Sequence, residues 1–294
     1  MRDSVASTES HSPSKSHSSH FAVVDHYARA AQRRLSNFSV MNVLRSFPQF
    51  IPNSEGSYKA RAKLTVDAIN QTLPLLSELA ASVGRPRAPV IEIADFPAND
   101  EQRQAAAALK EYLDARGSDK SSYHSYHHLY GAILADREAM RSVIEIGIGT
   151  HHSDTVSYMV RGEAGGSLRA FRDFLPFAQI HGADIDRRVL FEEERIKTFF
   201  VDQTDPAAFE QLARSVPGEC DLIIDDGLHS PHANIQTLIF GLKKVRLGGW
   251  VVVEDIAHDA LPVWHAVNAL LPNRYQTYIV NEQHALLFAV KRVE

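Results

Sequence analysis

The sequence predicts an α/β fold, a doubly wound and mostly parallel sheet that ends in an antiparallel hairpin and is preceded by a small helical N-terminal domain. Three observations carry this reading. From Ser142 onward, short apolar runs alternate with helical segments, the pattern of strand and crossover helix. Leu222–Ile224 and Trp250–Val253 are branched and continuously apolar, as parallel strands covered on both faces must be. The last two runs, YQTYIV and ALLFAV, are separated only by NEQH, which permits a hairpin but no right-handed crossover.

Taken in order, residues 1–20 are rich in Ser and His and hold almost nothing that could pack, so a disordered tail is expected there. From Phe21 to about residue 115 the pattern is helical: YARAAQRRL, then YKARAKLTVDAINQTLPLLSELAASV, then DEQRQAAAALKEYLDA behind Asn99 as N-cap. Pro48, Pro52 and RPRAP punctuate this region, which is expected to serve packing or self-association as a homodimer or homotetramer. Residues 116–294 form the α/β domain. Its strands are VIEIGIG running into a glycine turn, AQIHGADI, KTFFVD, DLIIDD and WVVVED. Helices fit between them at GSLRAFRDFL, DPAAFEQLARSV, PHANIQTLIFGLKKV and LPVWHAVNALL.

Composition narrows the function. The 294 residues are 44% hydrophobic and 23% charged, enough to bury a substantial core. A net charge of -5 argues against nucleic-acid binding through phosphate neutralisation. A single cysteine, Cys220, excludes an intramolecular disulfide and a thiolate metal cage, as in a reducing compartment. No apolar run approaches the roughly 20 residues that span a bilayer, so a cytoplasmic protein without membrane contact is expected.

The chemistry-bearing residues gather at strand ends. Asp225-Asp226 and Glu254-Asp255 close two strands joined by one helix, and with His229 they would converge on the crevice at the carboxyl edge of the sheet. Packed carboxylates repel unless a cation or donors offset them, so the cluster reads as a hard-metal and general-base site. Helix capping by the same acids is the plainer alternative, but it leaves the histidine and the adjacent strand ends unexplained. On the cofactor side, Glu145, Gly147 and Gly149 follow the first strand, and the glycines let backbone approach a ligand. A dinucleotide fingerprint would need a third glycine at position 152, which is His. Asp184 ends the second strand, where an acid grips ribose hydroxyls; Asp186 just beyond reads as a cap or surface charge. Asp202-Gln203 ends the third, where an adenine amino group could be bonded. The ordered set suits a nucleoside-containing cofactor without a phosphate chain.

A mostly parallel sheet with a terminal hairpin is the layout of class I S-adenosylmethionine methyltransferases. The runs GGSLRAFRDFLPFAQIHGADID, VDQTD, DLIIDDGLHSPHANIQT and GGWVVVEDI resemble the metal-dependent sugar O-methyltransferases of macrolide biosynthesis, the macrocin and mycinamicin type. They are also similar to the related cephalosporin hydroxylase and rhamnosyl O-methyltransferase group. The likeness covers about half the chain, roughly Ser118 to Ile256, and DDG-x-H with V-E-D is its most specific part. Asp119-Lys120 with His124 and Tyr126 is similar to a DK-x-x-x-H-x-Y element that lies over the cofactor in that family. The resemblance implies S-adenosylmethionine as methyl donor, Mg2+ or another divalent cation held by Asp226 and Asp255, His229 as base, and Asp225 on the cofactor side. Two departures stand out. Leu228 replaces a small residue before the histidine, and a further metal carboxylate is expected from the loop Thr150–Gly165, where Glu163 and Asp154 are both candidates. The expected function is metal-assisted O-methylation of a small hydroxylated acceptor such as a sugar, diol or phenol. The alternatives are metal-independent N- or C-methylation on the same scaffold, or a non-catalytic protein that keeps the cofactor fold for assembly.

Overall fold

A computed structural model describes residues 74–82 and 85–294 of the chain. The expectations for the tail at 1–20 and for the helices before residue 74 lie outside the described residues. Residues 74–82, the end of the predicted helix over 58–83, are helical.

Among the described residues the sheet has nine strands, numbered along the chain, in the order β1-β8-β9-β7-β6-β2-β3-β5-β4. Its centre is the parallel set read from the sequence: β2 (Ser142–Ile146), β3 (Gln179–Asp184), β5 (Ile196–Phe200), β6 (Cys220–Asp225) and β7 (Val245–Ile256). The terminal hairpin, β8 (Tyr275–Asn281) and β9 (Leu286–Arg292), inserts β9 antiparallel beside β7. Two short strands escaped the sequence reading. β1 (Val90–Glu92) adds to β8 in parallel, and β4 (Glu192–Glu193) pairs antiparallel with β5.

The continuous apolar character of the central strands follows from their two covered faces. Val143, Leu222, Ile224 and Val252 point into one core with α1 (Asp100–Ala115), α3 (His127–Ile133) and α4 (Gly166–Phe174), where Leu109, Leu113, Leu129 and Phe171 pack. Ile144, Ile223, Val251 and Val253 point into the other, with α5 (Pro206–Ser215), α6 (Pro231–Lys244) and α7 (Leu261–Leu270), which supply Phe209, Leu238 and Trp264. Between α1 and α3 lies the single turn α2 (Asp119–Ser122), N-capped by Ser118.

The described residues do not part at the expected break between 115 and 116. Helix α1 begins behind Asn99 as predicted, whose side chain accepts from Gln102 N at 2.9 Å. It nevertheless packs with α3 and α4 in the core they share with the sheet, and β1 belongs to the sheet itself, so the described residues on both sides of that break join one unit. An amphipathic helix ahead of an α/β alternation reads as a separate domain only because its partner surface lies elsewhere in sequence.

The chain order places β2 between β3 and β6, so successive crossovers leave β2 in opposite directions. At such a switch point the loops after adjacent strands part and leave a crevice at the carboxyl edge.

Candidate functional site

That crevice is a cavity of about 690 Å³ lined by the turns after β2, β3, β5, β6 and β7, by α2, and by residues 154–163. Gly147 and Gly149, both expected here, line it with φ of 89° and 84°. A Cβ on Gly147 would lie 2.0 Å from the Asp226 carbonyl oxygen. Only glycine lets the β2 turn lie against the β6 turn, where Asp226 N donates to Ile146 O at 2.7 Å.

Asp184 lines the cavity as expected. Its carboxylate accepts from Ile148 N at 3.0 Å and Asp186 N at 2.8 Å, and burial raises its pKa against those bonds. Asp202 also lines it, with one oxygen closing a turn onto Thr204 N and Oγ1. Asp186 caps the turn at Arg188, as read, but it is buried rather than a surface charge. It accepts from Thr150 Oγ1 at 2.7 Å and from Arg188, which also grips Asp154 at 2.7 Å, so this pair pins the start of the 150–165 loop.

Three residues expected on the cofactor side are tied into the protein's own hydrogen-bond networks. Gln203 reaches the cavity wall, but its Nε2 donates to Asp225 Oδ1 at 2.7 Å and Thr237 Oγ1 at 2.9 Å, and its Oε1 accepts from Leu228 N. The Oε1 that would have accepted from an adenine amino group is therefore taken by Leu228 N, and the amide N–H groups hold the β6 turn. Asp225 is fully buried in the same network, with Asn234 Nδ2 at 3.1 Å, and does not line the cavity. Glu145 is also fully buried and off the cavity wall, accepting from Ser167 Oγ at 2.7 Å.

At the other end of the cavity the metal reading gains its geometry. Asp226, His229 and Asp255 each offer a ligand atom, and these atoms lie within 4.8 Å of one another. His229 Nε2 is 3.7 Å from Asp255 Oδ2. Both His229 and Asp255 hold left-handed backbone, φ 50° and 52°, which is costly for a residue with a Cβ and recurs where function demands a side-chain direction. The pairing of β7 with β9 shifts register between Val253 and Ile256, which turns Asp255 out of the strand alternation. Two carboxylates and an imidazole suit a hard or borderline divalent cation. Neither loop candidate joins them among the described residues: Asp154 pairs with Arg188, and Glu163 lines the cavity outside the trio.

Beneath the trio lies a buried charge cluster whose arrangement the sequence did not reveal. Lys120, 2% exposed, places Nζ 2.5 Å from Asp226 Oδ2, 2.5 Å from Glu254 Oε2 and 3.2 Å from Glu145 Oε1. Burial works against its ammonium, but the carboxylates of Asp226, Glu254 and Glu145 outweigh it and hold the lysine pKa well above the usual value. Burial pushes the Glu254 carboxyl up to about 8, with Lys120 opposing, and raises Asp226 as well. Tyr130 donates to Glu254 and Tyr126 to Asp255, and burial raises both phenols first, then the neighbouring carboxylates. His124 sits between Asp255, at 3.7 Å, and the buried Glu282, at 3.4 Å. Asp119-Lys120, His124 and Tyr126 had drawn notice only as a motif; Tyr130 and Glu282 carried no local signal. Trp264, on the helix after the β7 acids, is core, packed on Phe288 at 4.9 Å.

Sheet order, crevice and strand-end acids together define a Rossmann-like methyltransferase scaffold. No family model matches the chain. Among curated proteins, it is 31% identical over 149 residues to 8-demethyl-8-alpha-L-rhamnosyl tetracenomycin-C 2'-O-methyltransferase of Streptomyces olivaceus, covering 50% of this chain and 37% of that one. To mycinamicin VI 2''-O-methyltransferase of Micromonospora griseorubida it is 38% identical over 115 residues, 39% of this chain and 27% of that one. The MycE methyltransferase of the mycinamycin biosynthetic pathway, solved with Mg, SAH and mycinamycin VI, superposes with a TM-score of 0.51 at 25% identity, over 63% of this chain and 53% of that one. The resemblance read from the sequence is thus borne out, although the matches span well under half of each curated relative's length. Among the described residues no helix is long and apolar enough to cross a membrane.

Proposed function

We propose that the protein is an S-adenosylmethionine-dependent O-methyltransferase that uses a divalent cation, Mg2+ by preference, to methylate a hydroxyl of a small molecule such as a sugar, diol or phenol. The observation that carries this is the convergence of Asp226, His229 and Asp255 in one cavity with the Gly147–Gly149 turn and Asp184. The relatives named above are sugar O-methyltransferases, and one was solved with Mg and SAH, which supports the same chemistry.

Methyl transfer from a sulfonium is an in-line displacement, so the protein's work is to position two reactants and to make the acceptor nucleophilic. Asp184 holds the ribose hydroxyls, its two backbone N–H bonds leaving acceptor capacity free. Asp226 and Asp255 would hold the cation, which when bound would lower the pKa of a coordinated hydroxyl, less for magnesium than for zinc. His229 takes the acceptor's proton on its imidazole, and Asp255 alongside balances the charge so gained. The Thr150–Gly165 loop, pinned at its start by Arg188 and Asp186, covers the space between the two ends.

The test is calorimetric binding of S-adenosylhomocysteine to wild type and to Asp184→Ala, with and without Mg2+. Binding to the wild type that weakens at least about tenfold in the variant, as loss of a hydrogen-bonded charged group predicts, supports the reading. Wild-type binding of NAD with no affinity for the thioether would overturn it. Turnover that survives a chelator would remove the metal and leave a metal-independent methyltransferase.

A further inference from the structure

Resting on the metal-assisted reading, we propose that one short segment, Lys120 to Tyr126, is the positioning shell of the metal site: Lys120 orients Asp226 and Tyr126 orients Asp255. The two side chains contact directly the two carboxylates assigned to the cation, beside which His229 stands as base. Lys120 Nζ meets Asp226 Oδ2 at 2.5 Å, and Tyr126 Oη donates to Asp255 Oδ1. Asp255 Oδ2 is the oxygen nearer His229, so Tyr126 holds one side of the carboxylate and leaves the other turned to the site.

The segment is built to keep these two donors in fixed relation. Tyr126 N donates to Lys120 O at 2.9 Å, and His124 N and Tyr123 N both donate to Asp119 O, at 2.9 and 3.0 Å. The Tyr126 ring stacks on His124 at 4.4 Å, and both rings are buried. Each ligand oxygen thus answers to the same piece of backbone. Without such partners a carboxylate at a strand end rotates freely about its terminal torsion, and two of them beside Glu145 and Glu254 would turn apart to relieve repulsion. Donors behind metal-ligating carboxylates fix orientation and carry much of a site's affinity.

Simple charge neutralisation would not explain the arrangement. Glu254 receives the same kinds of partner, Lys120 at 2.5 Å and the Tyr130 hydroxyl, but lies outside the ligand trio and the cavity wall. Tyr130 is therefore a built-in control: a buried phenol on a buried carboxylate outside the trio.

The experiment is Mn2+ titration followed by electron paramagnetic resonance, with thermal melts on each protein to confirm folding. Tyr126→Phe keeps the ring packing and is expected to weaken Mn2+ binding about 10- to 100-fold. Tyr130→Phe is expected to leave it unchanged. Lys120→Met with Glu254→Gln removes the ammonium together with one of its carboxyl partners and is expected to weaken Mn2+ about tenfold; Glu254→Gln alone is its reference. Wild-type affinity in Tyr126→Phe, or equal losses in Tyr126→Phe and Tyr130→Phe, overturns the positioning role and leaves the metal reading intact. Failure of the wild type to bind Mn2+ overturns both.

Discussion

Lys120 is the residue on which the buried edge of the site turns, and its removal has a predictable cost. With 2% exposure and three carboxylates around Nζ, it is the buried cation that offsets their charge. Lys120→Met strands those charges, and breaking a buried pair by removing one partner costs about 3–5 kcal/mol. Urea unfolding above pH 8, where Glu254 is ionised, should show a loss of that size, and adding Glu254→Gln should restore part of it. A single variant as stable as wild type would mean that the cluster carries no net charge in the native state. The sequence made Asp226, Asp255 and His229 legible because strand-end acids with a nearby histidine form a local pattern. It did not make Glu145, Asp225 and Gln203 legible as inward-facing, because their directions are set by Lys120, Ser167, Thr237 and Asn234, which reach them from other elements.

Among the elements, the β2 turn is the most sensitive. Its glycine at 147 combines φ 89° with a 2.0 Å approach to the next turn's carbonyl, so Gly147→Ala combines left-handed strain of about 1–3 kcal/mol with a backbone clash that must displace the Asp226 turn. The expected outcome is a lower melting temperature together with weakened binding of S-adenosylhomocysteine and Mn2+, since one turn serves both ends of the cavity. Loss of thioether binding alone would show that the two turns move independently. The five central strands and four crossover helices were readable from apolar runs and helical spacing, and Asn99 marked the start of α1. β1 was not, because three residues carry no period, and its reason for being a strand is the ladder with β8 far along the chain. The membership of α1 in the α/β unit was hidden for a related reason: an amphipathic face shows that a partner exists without showing which one.

For the molecule as a whole, two histidines set a dependence on pH that is separate from the site. Burial, then His128 and Lys110, lowers the His127 pKa to about 4, with Asp114 opposing; burial, then Lys244 and Lys197, lowers His181 to about 4. Each stands below the unfolded value of about 6.5. Above 6.5 both states are neutral and neither histidine favours unfolding. Between about 6.5 and 4 the unfolded chain takes up protons that the folded one refuses, so stability falls as pH falls, and below 4 the loss levels off. The buried Glu254 acts in the opposite sense: its carboxyl is raised to about 8, so the folded state binds the extra proton and its contribution declines as pH rises from about 4.5. The raw curve mixes these terms, and the informative quantity is a difference. Subtracting the unfolding free energy of the His127→Gln, His181→Gln double variant from that of the wild type should give a line that is flat above pH 6.5 and slopes downward toward pH 4. A difference that is flat throughout would mean that both imidazoles accept protons in the folded protein, and that the two helix-covered cores admit charge where the packing says they do not.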